Sequence, residues 1–353
     1  MNNLIIFCNS SKHLLCNNRH FLYKKNIYLT NIKTFSGLER EISFEKLILN
    51  DNLNFNKSKL TKDDLNNILK LNSKIIINQS FCNDVNADIM ELLLTIETLV
   101  NYLVKNNKNN KIYINLMHFP YARQDKEKEY ITSVGKRLIL KMLENFKDYI
   151  VEIKVCDEHS SEKINNYPIK ITNIFPIYLI NYIMQNFAPQ NSIIILPDYG
   201  ASKRFSLSLM QQFKIIILDK MRQDNNQIKY NKMQNHIINN SIINFLILDD
   251  MLVSGDTCAK AIQYLIKTYN LDVNKIKFYI LCSHFFSFAI KLENCTNIYK
   301  IITTNSIANQ YSLGNQFNNI YKNNYINLNL KSLLQIKGQD YIHYIDILQY
   351  FFV

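Results

Sequence analysis

The sequence predicts an α/β fold of two similar halves, each with a mostly parallel sheet flanked by helices. Short runs rich in Ile, Leu and Val recur along the 353-residue chain, and segments with apolar residues at helical spacing separate them. These runs are continuously apolar, as parallel strands buried on both faces are. The predicted strands are Leu4–Cys8, Lys74–Asn78, Ile112–Met117, Val151–Val155, Ser192–Leu196, Lys214–Leu218, Asn244–Leu248 and Lys277–Leu281.

Helical periodicity is clearest in three segments between these strands. They are Asp88–Val104, Val134–Leu143 and Thr257–Ile266. Two polar stretches interrupt the alternation. Asn50–Asn72 is rich in Asn, Lys and Asp and is interpreted as a surface insertion with a short helix at Asp63–Leu71. Gln223–Asn240 has no clear period, which is typical of a functional or mobile loop.

The length and composition are those of an ordinary globular protein with two domains. Hydrophobic residues make up 47% of the chain and charged residues 20%. We expect a first domain at residues 1–160 and a second at 161–318. The remaining residues, 319–353, are predicted to pack back on the first domain.

The bulk features exclude several classes of protein. The net charge of +12 comes mostly from lysines that are dispersed along the chain. These lysines form no recognisable nucleic-acid-binding motif. No apolar run approaches the roughly 18 residues of a membrane-spanning helix, and no secretory leader is visible. The seven cysteines are scattered without a C-x-x-C pair, so neither a disulfide framework nor a zinc site is expected. A cytoplasmic protein without membrane or nucleic-acid partners is the resulting expectation.

The segment Phe245–Thr257, FLILDDMLVSGDT, has the pattern of a phosphate site. An apolar strand leads into two consecutive acids, Asp249 and Asp250, and then into a loop that opens a helix. Such a loop directs backbone N–H groups and hydroxyls at a phosphate, while the acids bind sugar hydroxyls directly or through Mg²⁺. The loop residues are Ser254, Gly255, Asp256 and Thr257. An ordinary βα turn with an acidic N-cap is the alternative.

A second polar loop, FPYARQDK at Phe119–Lys126, directly follows a predicted strand. Arg123 is a permanently charged planar donor suited to bidentate phosphate binding. Gln124 can both donate and accept, as nucleotide recognition requires, and Asp125 follows it.

These segments resemble those of the ribose-phosphate pyrophosphokinases, whose fold is that of the type I phosphoribosyltransferases. Y-A-R-Q-D-K/R is characteristic of that family, is intact in this chain, and is absent from the transferases that consume phosphoribosyl pyrophosphate. Asp249, Asp250 and Thr257 match the family's D-D-x-x-D-T-x-G-T signature. The likeness extends from about residue 4 to residue 334.

Further segments in the same order extend this resemblance to the ATP site. FSGLE at Phe35–Glu39 is similar to a loop that holds adenine and ribose across a subunit boundary, and Phe35 and Glu39 match. CDEHS at Cys156–Ser160 places His159 where the family has a ligand of Mg-ATP. The resemblance thus implies ATP binding by Phe35, Glu39, His159 and the Arg123 loop.

Two segments of the second half resemble the ribose 5-phosphate site and the catalytic flap. LPDYGA at Leu196–Ala201 places Asp198 at the acid associated with metal and ribose phosphate. ILDKMR at Ile217–Arg222 places Lys220 and Arg222 at two basic positions thought to stabilise the transferring group. The resemblance further implies Mg²⁺, with His159 and Asp198 as metal residues, and a homo-oligomer (a dimer or hexamer).

Three positions depart from the family pattern. Val253 stands where a third Asp is usual, Asp256 replaces a Gly, and Gly37 and Leu38 replace Asp and Gly. These departures leave two alternatives to the kinase: a catalytically weak regulatory subunit of the same fold, and a phosphoribosyltransferase. The region after Arg123 is also shorter than usual, which makes allosteric control by ADP or phosphate doubtful.

Overall fold

The computed structural model describes residues 3–18, 26–37, 39–49, 55–70, 72–82, 84–124, 133–159, 167–198, 200–202, 204–205, 212–218, 220–222, 228–230, 243–286, 292, 298–307 and 342–351. The chain divides into two compact units. The first unit comprises Met1–Phe175, Ser306–Asn323 and Asp346–Val353. The second comprises Pro176–Asn305 and Asn324–Ile345. Each unit is described by itself.

The first unit is built on a mixed sheet that is mainly parallel. Its described strands are β1 Leu4–Phe7, β2 Asn26–Thr34, β3 Arg40–Leu49, β4 Phe55–Lys59, β5 Lys74–Gln79, β6 Lys111–Leu116, β7 Ile150–Cys156 and β8 Lys170–Ile174. In the described chain their spatial order is β4-β3-β2-β1-β5-β6-β7-β8. The strands from β2 to β8 in this order are parallel, and β3 and β4 add an antiparallel edge.

The second unit is built on a parallel sheet and a small ribbon. Its described strands are β9 Ser192–Leu196, β10 Lys214–Ile217, β11 Lys220–Arg222, β12 Ile228–Tyr230, β13 Ile243–Leu252, β14 Ile276–Phe285, β15 Ile298–Thr304 and β16 Ile342–Ile345. The parallel sheet has the order β10-β9-β13-β14-β15-β16 over the described residues. The antiparallel pair β11–β12 stands apart from it.

The helices follow the strands in the alternating manner that the sequence predicts. Those with described bounds are α1 His13–Asn17, α2 Lys62–Ile68, α3 Val85–Lys105, α4 Gly135–Glu144, α5 Ile177–Asn186, α6 Asp256–Tyr269 and α7 Leu348–Phe351. Asp84 caps α3 by accepting the N–H groups of Asn86 and Ala87. Within the described part of the chain, no helix is both long and apolar enough to span a bilayer.

The predicted fold class is confirmed. All eight predicted strands and all three predicted helices are present, and β13 and β14 extend further than predicted. The other described strands were not predicted: β2, β3, β4, β8, β11, β12, β15 and β16. Strand β3 carries Arg40, Glu41, Glu45 and Lys46 among its apolar residues, so it has no continuous apolar run that would have revealed it.

The Asn-rich stretch 50–72 contributes an edge strand and a helix in its described part. A capping box of Thr61 and Asp64 starts α2, which confirms the predicted short helix. Leu65 and Ile68 of this helix are buried. The stretch therefore takes part in the core of the first unit as well as its surface.

The start of the first unit is held by a buried carboxylate. Glu91 of α3 is 1% exposed and accepts hydrogen bonds from the Asn9 N–H and the Thr30 hydroxyl through one oxygen. Burial raises the pKa of Glu91 above its ordinary value, although these bonds and the charge of Lys12 oppose the shift. Glu91 thus links α3 to the end of β1 and to β2.

We expect Glu91→Gln to gain stability relative to the native chain as the pH rises. The folded protein holds the Glu91 proton more tightly than the unfolded chain does. The native chain therefore has this contribution in full below the ordinary pKa of 4.5 and loses it as the pH rises through the higher folded value. Gln preserves an acceptor oxygen and has no proton to lose.

Urea denaturation across this pH window measures the effect. Glu97→Gln, on the exposed side of the same helix, is the matched control and should show no comparable trend. A constant difference between Glu91→Gln and the native chain at every pH would contradict the assignment.

Candidate active site

The loop after β6 presents the first set of predicted site residues. Tyr121 has φ of 56° and lies so close to Gly135 that a Cβ there would be 2.6 Å from its ring. Its hydroxyl donates to the Asn86 side chain at the start of α3. Anchored by Tyr121, the loop leaves Arg123 and Gln124 exposed, with the Gln124 N–H donating to the Tyr121 carbonyl at 2.9 Å.

The loop after β7 presents His159 next to a buried acid. Asp157 and Glu158 are buried, and the Glu158 N–H donates to the Asn173 side chain at 2.9 Å. His159 is exposed at the end of this turn. Because β6 and β7 are adjacent and parallel, His159 lies on the same edge of the sheet as the Arg123 loop.

A buried ion pair joins the two loops. Lys136, at the start of α4, lies 2.6 Å from a Glu158 oxygen, and the two side chains are 5% and 0% exposed. The same ammonium group lies 5.5 Å from the centre of the Phe119 ring in the β6 loop. Lys136 therefore contacts both the loop after β6 and the loop after β7.

Phe35 and Glu39 lie at the hairpin between β2 and β3. The Phe35 N–H donates to the Glu39 carbonyl at 2.9 Å, and both side chains are exposed. The Lys33 ammonium lies 4.6 Å from the centre of the Phe35 ring. Since β2 is parallel to β1, this hairpin projects from the same edge of the sheet as the loops after β6 and β7.

The acids of the second unit lie within a strand. The sequence predicts that this strand ends at Leu248, directly before Asp249 and Asp250, but β13 continues to Leu252. The backbone stays paired with β14, where Asp249 is opposite Cys282. Asp250 is 1% exposed and Asp249 is partly exposed.

Arg204 is the counter-ion of both acids. Its Nη2 lies 3.2 Å from an Asp250 oxygen and 3.5 Å from an Asp249 oxygen. Burial, together with the neighbouring Asp250, raises the pKa of Asp249 well above its ordinary value; Asp198 adds to this shift and Arg204 opposes it. Arg204 thus favours the ionised form of the acid pair.

The predicted phosphate loop begins α6 with a left-handed glycine. Gly255 has φ of 77°, and a Cβ there would be 2.7 Å from the Leu292 side chain, so only glycine fits. The Asp256 N–H donates to the Ser254 hydroxyl at 3.3 Å. The Asp256 carboxylate pairs with Lys260 at 2.7 Å, one turn further along the helix. Thr257 is partly exposed in the first turn.

Asp198 lies at the end of β9, which is adjacent to β13. Its side chain accepts the Ala201 N–H at 2.8 Å and caps the helical residues 200–202. Its charge reaches Asp249, whose pKa it helps to raise. Asp198, Asp249 and the Gly255 turn therefore lie on one edge of the second unit's sheet.

The predicted catalytic pair lies on the ribbon. Lys220 and Arg222 are the first and last residues of β11, which pairs with β12 in the register Lys220↔Tyr230 and Arg222↔Ile228. The described part of the polar stretch after Arg222 is β12, and the rest lies outside the described residues. Asp125 also lies outside them.

The two predicted metal residues belong to different units. His159 belongs to the first unit and Asp198 to the second. In the portion of the chain that is described, no group of three or more His, Cys, Asp or Glu side chains could hold a metal ion. The metal assignment of His159 and Asp198 stays a prediction.

Comparison with known proteins matches the predicted family. Residues 66–146 match the family model of the N-terminal domain of ribose phosphate pyrophosphokinase. A ribose-phosphate pyrophosphokinase of Mycoplasma genitalium is 29% identical over 199 residues, which cover 56% of this chain and 57% of that protein. The enzyme of the same name from Aquifex aeolicus is 28% identical over 65% of this chain and 70% of its own. The chain is related to the ribose-phosphate pyrophosphokinases.

A solved structure supports the fold over nearly the whole chain. The phosphoribosylpyrophosphate synthetase from Mycobacterium smegmatis superposes with a TM-score of 0.63 at 16% identity, covering 98% of this chain and 95% of that one. By sequence, the chain spans little more than half the length of the Mycoplasma genitalium and Ureaplasma parvum pyrophosphokinases (57% and 54%). The matched family range includes Arg123 and Gln124.

The sequence pattern did not reveal two residues, Lys136 and Arg204, that position the loops and acids of the candidate site. Lys136 occupies the first turn of α4, where the helix dipole disfavours a cation, so a specific anionic partner was a reasonable inference. Arg204 lies six residues after Asp198 in the sequence. The pairing of β9 with β13 brings the segment after β9 close to the acids, and Arg204 forms its ion pair with Asp250 there.

We expect Lys136→Met to destabilise the first unit by about 3–5 kcal/mol, because it leaves the Glu158 charge buried without its partner. The double variant Lys136→Met, Glu158→Leu should recover most of this loss. Urea denaturation compares the two with Lys141→Met, a control on the exposed side of the same helix. A single variant as stable as the native chain would remove Lys136 from its role of joining the two loops.

We expect Arg204→Gln to raise the pKa of Asp249 further, because the variant removes the positive charge that opposes the shift. Arg204→Lys should give a smaller change because it retains the charge but not the planar fork. Carboxyl carbon-13 NMR, titrated against pH, measures both variants. An Asp249 titration that is identical in the native chain and Arg204→Gln would contradict the counter-ion assignment.

Proposed function

We propose that this chain is a ribose-phosphate diphosphokinase. It transfers the pyrophosphoryl group of Mg-ATP to the 1-hydroxyl of ribose 5-phosphate and yields phosphoribosyl pyrophosphate and AMP. The observation that carries this proposal is the anchored Arg123–Gln124 loop, which lies inside the range matched to the pyrophosphokinase family. The same loop distinguishes a maker of phosphoribosyl pyrophosphate from its consumers.

In this proposal the second unit binds ribose 5-phosphate. The hydroxyls of Ser254 and Thr257 and the N–H groups at the start of α6 receive the 5-phosphate. Asp249 and Asp250 accept hydrogen bonds from the ribose hydroxyls. Support comes from the left-handed Gly255, which turns the chain sharply between the acid strand and the helix.

The Asp256 that replaces the family's glycine is compatible with a phosphate at this turn. Its carboxylate pairs with Lys260 at 2.7 Å, so the nearby cation offsets its negative charge. The pair is half-exposed, and its Coulomb energy is therefore modest. Asp256 still carries more negative charge to this site than glycine does, and we expect weaker ribose 5-phosphate binding as a result.

The first unit binds ATP through residues of its carboxyl edge. Phe35 offers an exposed ring for the adenine, and Glu39 accepts from the ribose. The exposed Arg123 guanidinium binds phosphate oxygens in a bidentate manner, and Gln124 hydrogen-bonds the nucleotide. Asp125 and His159 complete the proposed set, with His159 held in place through the Lys136–Glu158 pair.

Magnesium fits the chemistry of the acids in the second unit. Burial raises the pKa of Asp249, and the neighbouring Asp250 and Asp198 add to this shift. Carboxylate oxygens are the ligands that Mg²⁺ prefers. Asp198 would hold the ion in that unit, and His159 would bind it with the ATP. The ion supplies charge neutralisation for the phosphate oxygens.

The reaction is a single displacement at phosphorus. The 1-hydroxyl oxygen of the sugar bonds to the β-phosphorus of ATP as the bond to the α–β bridging oxygen breaks, so AMP leaves with that oxygen. The hydroxyl proton passes to solvent. Lys220 and Arg222 counter the charge on the transferring group, and positioning supplies most of the rate enhancement.

A catalytically weak subunit of the same family is the second candidate. Val253 favours it, since it replaces an acid between the Asp249–Asp250 pair and the phosphate loop. Gly37 and Leu38 favour it in the same way at the hairpin. This candidate predicts nucleotide binding without turnover.

Release of AMP from ATP and ribose 5-phosphate tests the proposal. We expect turnover that depends on both substrates and on Mg²⁺. Lys220→Ala should lower kcat at least about a hundredfold, the typical effect of removing one preorganised charge, with little change in ribose 5-phosphate binding. Lys147→Ala, at an exposed position of the first unit, is the matched control.

Nucleotide binding without AMP release would replace the kinase with the weak subunit. Near-normal turnover of Lys220→Ala would leave the kinase in place but remove Lys220 from the transfer step. Pyrophosphate-dependent cleavage of a nucleotide, without AMP release from ATP, would point to a phosphoribosyltransferase.

A further inference from the structure

The first unit contains a pocket that is lined by other residues than those of the proposed ATP-binding loops. The cavity has a volume of about 280 Å³. Its lining includes Lys74, Tyr113, Asn115, Glu152, Lys154 and Phe351. None of these residues belongs to the proposed ATP site.

The pocket lies on one face of three adjacent parallel strands. Tyr113 of β6 is opposite Glu152 of β7, and Asn115 is opposite Lys154. Side chains alternate along a strand, so these four share a face, while Ile112 and its even-numbered successors in β6 point to the other. The strand order β5-β6-β7 and the right-handed rule for parallel crossovers predict that α3 and α4 cover one common face.

The pocket is also nearer the opposite edge of the sheet. Lys74 is the first residue of β5, whereas Arg123 and His159 follow the carboxyl ends of β6 and β7. The C-terminal helix α7 closes the pocket from the side, where the Phe351 carbonyl accepts a hydrogen bond from the Lys154 ammonium at 3.0 Å.

The floor of the pocket is polar, which is unusual for an inner strand of a parallel sheet. Asn115 is 3% exposed and donates to the Asn78 side chain at 2.9 Å. Asn78 is fully buried and donates in turn to the Ile6 carbonyl at 3.1 Å. Burying an amide side chain costs free energy unless it is hydrogen-bonded. The hydrogen bonds of Asn115 and Asn78 offset that cost and keep this part of the sheet polar.

The charge of the lining favours an anion. Lys74 and Lys154 contribute two ammonium groups against the single carboxylate of Glu152. Burial acts to raise the pKa of Glu152, but hydrogen bonds from Lys170 at 2.7 Å and Thr172 at 2.6 Å hold it below its ordinary value. That carboxylate is therefore ionised and already bonded on the β8 side.

The two lysines are directed along the cavity wall. The Lys74 ammonium lies 4.8 Å from the centre of the Tyr113 ring, a cation–π contact that holds it over the sheet. The Lys154 ammonium is held by the Phe351 carbonyl and is only partly exposed. Both positive charges thus border the same small volume.

We infer that this pocket binds a small anion that carries a carboxylate or phosphate group. The two ammonium groups bind its oxygens, and the Asn115 amide and the Tyr113 hydroxyl bind neighbouring polar atoms. The volume lies just below the usual range of about 300–1,000 Å³ for ligand pockets, so the ligand is small. This site is separate from the ATP and ribose 5-phosphate sites and does not depend on the proposed reaction.

Calorimetric titration with inorganic phosphate and with succinate, at constant ionic strength, tests the site. We expect at least one of the two to bind, and the preference identifies the chemical group. Lys74→Met and Lys154→Met should each weaken that binding by about tenfold or more, equivalent to about 1.4 kcal/mol. Lys105→Met, at an exposed position of α3, is the matched control and should leave it unchanged.

A second titration separates this pocket from the proposed phosphate loop. Binding to the pocket should persist in Thr257→Val, since Thr257 belongs to the other unit. The inference fails if neither probe binds at concentrations up to about 10 mM, roughly tenfold above a dissociation constant of about 1 mM. It also fails if binding disappears in Thr257→Val or is unaffected by both lysine variants.

Lysine footprinting on the native chain covers the case in which a variant does not fold. Reductive methylation, read by mass spectrometry, should be slower at Lys74 when the binding probe is present and unchanged at Lys105. Equal protection at both lysines, or at neither, would overturn the site. AMP release is measured independently, so failure of this inference and failure of the proposed function are distinguishable.

Discussion

Parallel pairing of strands is the constraint on which the candidate site residues of each unit depend. In a parallel sheet the carboxyl ends of all strands meet at one edge, so loops distant in sequence become neighbours. The pairing of β6 with β7 places the Arg123 loop beside His159, and the pairing of β9 with β13 places Asp198 beside Asp249. A one-residue slip in either pairing would turn these side chains to the other face or change their neighbours.

The candidate residues of each unit include buried charges that need a counter-ion. The two units provide that counter-ion differently. In the first unit, Lys136 and Glu158 neutralise each other out of water, so the pair shapes the loops without taking part in binding. In the second unit, one arginine meets two acids, so Arg204, Asp249 and Asp250 carry a net negative charge. Burial, together with the charge of Asp250, raises the pKa of Asp249. The net negative charge makes the acids suited to a further cation or to hydroxyl donors.

The sequence predicted the parts of the structure that depend on local pattern. Buried parallel strands such as Ser192–Leu196 are continuous apolar runs and were found with their ends nearly correct. Strand β3 of the antiparallel edge was missed because charged residues interrupt its apolar residues. The end of β13 was predicted too early because two consecutive acids are unusual inside a buried strand. Pairing with β14 nevertheless continues past them.

The same distinction explains which site residues could be predicted. Arg123, His159 and the Asp249 segment were visible because each belongs to a local motif, and the structure places the first two on one sheet edge. Lys136 and Arg204 belong to no such motif, since their partners are 22 and 46 residues away in sequence. Contacts over such separations arise from strand order, which the hydrophobic pattern does not determine.

The two faces of the first unit's sheet differ in what they require of the sequence. The face that the right-handed connections cover needs only apolar side chains, and Ile112, Ile114 and Leu116 supply them in β6. The face bearing Tyr113, Asn115, Glu152 and Lys154 has charges and amides where apolar residues would stabilise a parallel sheet more simply. Glu152 with Lys170 and Asn115 with Asn78 satisfy part of this polar set internally. Lys74 and Lys154 add two positive charges at the cavity wall, and the proposed anion would account for their position on this face.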